Sequence, residues 1–147
     1  MKNIIIITVL LISFAQFSFA NNLKMRTQEF PKKEMKKQKN EITRLMAKEL
    51  AKDLPKKVDN YTILKNITNK NSTLIYTFEI NTGVKKDEIV IKEDYLRMKR
   101  AVTKGICSTS NKLLDAGINT TYIYKSASTK KTLFIFKIDK TKCIGLK

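Results

Sequence analysis

Two cysteines, Cys107 and Cys143, stand 36 positions apart and are the only thiols the chain owns. Histidine is absent, which removes the commonest general base, the usual imidazole metal ligand and every Ser-His or Cys-His nucleophile pair. Carboxylates remain. Glu79, Asp87, Glu88, Glu93, Asp94 and Asp115 could supply the two that a glycosidase requires, but nothing in their spacing singles out a pair. The cysteines lack the CxxC spacing of a low-pKa exchange pair. These residues nominate no catalytic group, no cofactor and no metal site, and a small carboxylate-based hydrolase is the weakest functional reading.

What the cysteines mean depends on the compartment, and the first twenty residues address that. Lys2 gives a positive start, Ile4 to Phe14 an apolar run, and Ser18-Phe19-Ala20 a small-x-small cleavage site. This is the pattern of a secretory signal peptide over 1–20, with an apolar run too short for a retained membrane span. No cysteine follows Ala20, so lipid attachment there is not indicated. The expected location is periplasmic or secreted, with no transmembrane span after cleavage. In an exported chain an even count of two cysteines favours one intramolecular disulfide, Cys107–Cys143. Closing that loop should stabilise the fold by about 3–4 kcal/mol in the chain-entropy description.

The 147 residues carry a net charge of +17. Removing Lys2 with the signal leaves 29 basic residues against 13 acidic ones, or +16, on 127 residues. Such a charge favours anionic partners: lipid headgroups, acidic polysaccharide, an acidic protein or nucleic acid. Nucleic acid is disfavoured, because phosphate readers prefer the planar fork of arginine and only Arg26, Arg44, Arg97 and Arg100 are present. Abundant Lys, Ile and Asn also fit AT-rich coding in a bacterium, where triplets such as Asn60-Tyr61-Thr62 carry no glycosylation signal. Two clusters are the candidate anionic-partner contacts: Lys32, Lys33, Lys36, Lys37 and Lys39, then Arg97, Lys99, Arg100 and Lys104. For both, the ordinary reading is a solvated helix face. Aromatics alternating along the strands could stack bases, but period-two placement is what a half-buried sheet needs anyway.

The elements that would hold these residues follow from periodicity. Residues 21–30 read as a flexible leader and 31–147 as one domain, long enough to bury a core of about 65% of its unfolded surface. From Pro31, Met35, Ile42, Leu45, Met46, Leu50 and Leu54 recur at helical steps and predict an amphipathic helix packed through that stripe, ending before Pro55. Tyr61–Thr68 and Ser72–Asn81 alternate as strands around an Asn69-Lys70-Asn71 turn. Ile91, Tyr95, Met98, Val102 and Ile106 share one face of a second helix starting near Lys86, with Asp87 and Glu88 opposing its dipole. A short third helix, Ser110 to Ala116, should end at Gly117. Ile118–Ser126 and Lys131–Asp139 predict a second hairpin. Its Leu133-Phe134-Ile135-Phe136 run is apolar on both faces, as in a central or doubly covered strand. The expected fold is α+β: an N-terminal amphipathic helix and a central helical pair on a four-stranded antiparallel sheet of two hairpins, with one disulfide.

The stretch from Cys107 through Leu113-Leu114-Asp115-Ala116-Gly117 and Tyr122-Ile123-Tyr124 to Cys143 resembles a pattern in small bacterial exported proteins. Leu54-Pro55-Lys56-Lys57-Val58-Asp59 and Tyr76-Thr77-Phe78 are similar to that group too. The resemblance spans about 90 residues and implies one exported, disulfide-linked domain, but no particular activity. The leading functional expectation is a non-enzymatic basic protein that meets an anionic surface or partner at the cell envelope. The alternative is a partner-specific interaction protein: an immunity protein, an inhibitor or a secretion-system accessory.

Overall fold

A computed structural model describes residues 31–145; the expected signal peptide and leader lie outside the described residues. Helix α1 spans Lys32–Leu50, strands β1, β2 and β3 span Lys56–Lys57, Thr62–Lys70 and Thr73–Ile80, and α2 and α3 span Asp87–Thr109 and Asn111–Asp115. Strands β4, Asn119–Ser126, and β5, Thr132–Ile138, precede a terminal 3-10 turn at Lys140–Cys143. No described helix is long and apolar enough to cross a membrane.

The architecture is α+β with one disulfide, but among the described residues the sheet has five strands in the order β1-β2-β3-β4-β5, and it is mixed. The four-stranded antiparallel expectation is corrected on both counts. Strand β3 runs parallel to β4, from Thr73 opposite Asn119 to Ile80 opposite Ser126. The connection through α2 and α3 is long enough to return the chain to the end where β3 began, as a parallel crossover requires. The extra strand is Lys56-Lys57, paired with Leu64 and Ile63.

Alternation puts Leu74, Tyr76 and Phe78 on the face that all three helices cover. Ala47 of α1 packs with Ile67, Leu74 and Ile118. Val90 of α2 and Leu114 of α3 join Phe78, Tyr122, Tyr124, Phe134, Phe136 and Ile138. Parallel register sets Tyr76 against Tyr122, ring centroids 5.0 Å apart, and Phe78 against Tyr124 at 4.7 Å. The strand aromatics therefore lie toward the helices, and they serve as core rather than as a stacking platform.

Two packing expectations are also corrected. Met46 and Leu54 of the expected stripe pack against the core, but the fully buried residues of α1 are Thr43 and Ala47, and Met35, Ile42, Leu45 and Leu50 remain exposed. Small residues let the helix approach the sheet closely, and the bulky ones are left at the flank. Among the described residues strand β5 is an edge strand, not a central one. Its register slips between Tyr124 and Lys125, so Phe134 opposes Tyr124, Thr132 opposes Lys125 and Leu133 is the inserted residue. A bulge of this kind lets two consecutive side chains, Leu133 and Phe134, both be buried.

Candidate functional site

At the end of the sheet where β3 finishes, α2 and the chain entering β2 wall a cleft of about 560 Å³. Its floor is apolar: Phe78, Tyr124 and Phe134 from the strands, Val90 and Met98 from α2. Helix α2 supplies Val90 and Met98 because they lie eight residues apart on one face of a 3.6-residue repeat. Val58 and Tyr61 stand at the mouth, 56% and 67% exposed. Apolar groups this open beside an apolar floor are characteristic of a contact surface rather than of packing.

The rim is charged but balanced. Asp59 accepts hydrogen bonds from the backbone N–H groups of Tyr61 and Thr62, each at 2.8 Å, which fixes the loop. The Tyr61 bond is the main reason its carboxyl lies below the usual carboxylate range. Burial pushes the Tyr124 hydroxyl up to about 12, and the Asp59 charge adds to that. Arg97 donates to Asp94 Oδ1 from Nε at 3.0 Å and Nη2 at 2.6 Å, and Lys85 Nζ meets Glu93 Oε2 at 2.8 Å. Two carboxylates and two cations thus line the mouth, so it is no funnel for anions. The lining carries no thiol and no imidazole. What it can do is bind apolar side chains and orient them by polar contacts at the edge.

The candidate cations do not converge. Lys33, Lys36 and Lys37 of the first cluster line a polar hollow of about 1020 Å³ between α1 and the β2–β3 turn, with Arg44, Asn69 and Asn71. Lys39 instead reaches Gly117, and Lys32 is on the exposed first turn of α1. The second cluster divides along α2: Arg97 belongs to the cleft, Lys99 to a groove beside β5, while Arg100 and Lys104 are exposed. The carboxylates are spoken for. Glu79 pairs with Lys130 at 2.8 Å, Asp115 with Lys140 at 2.8 Å, Glu88 with Lys131 at 4.0 Å, and Asp87 takes a hydroxyl from Thr129. Cys107 and Cys143 form the disulfide, tying α2 to the terminal turn with their Cα atoms 5.4 Å apart. No group of three or more candidate ligands that could hold a metal occurs among the described residues.

Sequence reasoning assigned Met98 and Tyr61 to a helix face and a strand but missed that they meet at one cleft, as it missed Val58. The nearest signal was Val58, an apolar residue in the short turn that precedes the Tyr61–Thr68 run.

No family model matches the chain, and no curated protein matches it by sequence. Solved structures do. A Pseudomonas aeruginosa protein described provisionally as secreted aligns at 16% identity and TM-score 0.66, over 74% of this chain and 96% of its own. The pilotin EpsS of the Vibrio vulnificus type 2 secretion system aligns at 14% identity and TM-score 0.60, over 76% and 96%. AspS, a type II secretion system pilotin of Vibrio cholerae, aligns at 18% identity and TM-score 0.58, over 76% and 98%. The likeness at these identities is one of fold, and it takes in nearly the whole of each neighbour.

Proposed function

We propose that this chain is an exported accessory protein of a secretion system that works by holding one protein partner, and that it performs no chemistry. The observation that carries this reading is the cleft over Phe78 and Tyr124, with Val58 and Tyr61 open at its mouth. Apolar floors with aromatic anchors and a polar rim are where protein contacts concentrate their binding energy. The pilotin fold of two neighbours supports the secretion-system setting. This reading is preferred to general attraction toward an anionic envelope surface, because the candidate cations are dispersed over separate hollows.

The test is site-specific photo-crosslinking in the native envelope, with the probe at Tyr61 and then at Met98. One secretion-system protein should be captured from both positions, stoichiometrically, and lost on Val58→Glu at the exposed mouth, with the fold intact by circular dichroism. Capture of many unrelated proteins, or capture indifferent to Val58→Glu, would overturn the reading. So would salt-sensitive adhesion to anionic liposomes as the sole interaction.

A further inference from the structure

Strand β5 pairs only with β4 among the described residues, so its far edge turns the N–H and C=O groups of alternate residues outward. Natural sheets blunt such edges with proline, short strands or several charges. Here the strand is seven residues long, TLFIFKI, without proline and with Lys137 as its one charge. Ile135, at its centre, is 49% exposed. A groove of about 470 Å³ runs between this strand and α2. Tyr95 and Lys99 line its helix side, Ile135 and Lys137 its strand side, and Lys142 also contributes. Lys99 Nζ sits 5.9 Å above the Tyr95 ring. Three cations and no carboxylate line the groove, in contrast to the balanced rim of the cleft.

We propose that this groove receives an extended acidic segment of a partner protein, added to the sheet beside β5 as a further strand. The open backbone groups supply the pairing and the alternating side chains its register, as in other strand-addition complexes. Lys99, Lys137 and Lys142 select acidic side chains. A second copy of this chain could use the same edge, but the net charge of +17 opposes self-association. The groove shares no lining residue with the cleft, so this inference stands apart from the proposed function.

The experiment uses the full disulfide-intact chain and a capped, fluorescent peptide of seven residues, the length of β5, alternating glutamate with valine. Anisotropy should report binding that weakens at least about tenfold in ~1 M salt, where the screening length is about 3 Å. Methylating alternate peptide amide nitrogens preserves the charge but removes donors, and should abolish binding. Lys99→Glu with Lys137→Glu should abolish it too, whereas Val58→Glu at the exposed mouth of the cleft should leave it unchanged. No binding, equal binding of the methylated peptide, or indifference to the charge reversal would overturn the proposal. Dimerisation of the peptide-free chain with protection of β5 amides would assign the edge to a second copy and overturn it equally.

Discussion

Thr129 Oγ1 donates a hydrogen bond to Asp87 Oδ2 across 42 positions of sequence, joining the β4–β5 turn to the first turn of α2. Asp87 is only 7% exposed, and the Lys131 backbone N–H donates in turn to Thr129 Oγ1 at 3.3 Å. The carboxylate also lies where the helix dipole favours negative charge. Because α2 walls both the cleft and the β5 groove, this contact fixes the spacing of each.

Removing either partner should therefore be costly. Asp87→Ala and Thr129→Val are each expected to lose about 2 kcal/mol, because both delete the same charge-assisted bond and the second leaves a buried carboxylate without its donor. Urea denaturation of the singles and the double should show the losses to be less than additive. Strict additivity would mean that the two side chains do not depend on each other.

Gly117 ends α3 at φ +76°, and a Cβ placed there would stand 2.6 Å from Lys39 Nζ. Gly83, at φ +60°, has open space around the same position. The left-handed backbone disfavours any side chain by about 1–2 kcal/mol, whereas the tip of a lysine moves aside easily. Gly117→Ala and Gly83→Ala should thus destabilise to within about 0.5 kcal/mol of each other. Lys39→Met should not rescue the former. A much larger loss at Gly117, restored by Lys39→Met, would make the ammonium contact the deciding term.

The local devices were legible in sequence and the long-range ones were not. Asn71 at φ +52° and Gly117 at φ +76° form the turn and cap that their residue types demand, and α2 begins at Asp87 beside its acidic first turn. The cysteine pairing followed from the compartment argument. By contrast, periodicity selects bulky residues, so it chose Ile42 and Leu45 for the buried face of α1 where Thr43 and Ala47 lie. Parallel adjacency of β3 and β4 depends on how a 38-residue connection packs, which leaves no mark on either strand. A strand apolar on both faces reads as central, yet in β5 one bulge buries Leu133 beside Phe134 while Ile135 stays half exposed. The cleft joins Val58, Val90 and Tyr124, residues that no motif links.

The disulfide closes a 36-residue loop containing α3, β4 and β5 and holds the terminal turn against α2. Cys107→Ser with Cys143→Ser should lower stability by about 4 kcal/mol through the freer unfolded chain. Chemical denaturation of the double variant against the oxidised chain measures this. An unchanged midpoint would remove the bond from the list of what holds the fold.

Stability should hold over the neutral range and fall at both extremes of pH, for opposite reasons. Among the described residues, hydrogen bonding holds four carboxyls below their ordinary range: Glu79 through Lys130, Asp59 through the Tyr61 backbone, Asp139 through Thr141 and Glu41 through Arg44. A depressed folded value means stability that is present above the unfolded carboxylate range, about 4, and is lost as pH drops through the lower folded values. Burial raises the Tyr76, Tyr122 and Tyr124 hydroxyls, the last to about 12. A raised folded value means stability fully present below the unfolded tyrosine value, about 10, and lost as pH climbs above it. Tyrosinate absorbance should accordingly contain a late-titrating fraction that moves to about 10 in denaturant. Tyr124→Phe should delay alkaline unfolding, because phenylalanine has no proton to lose. If all five tyrosines ionise together in the folded chain, the buried aromatic face between sheet and helices is not closed to water as described.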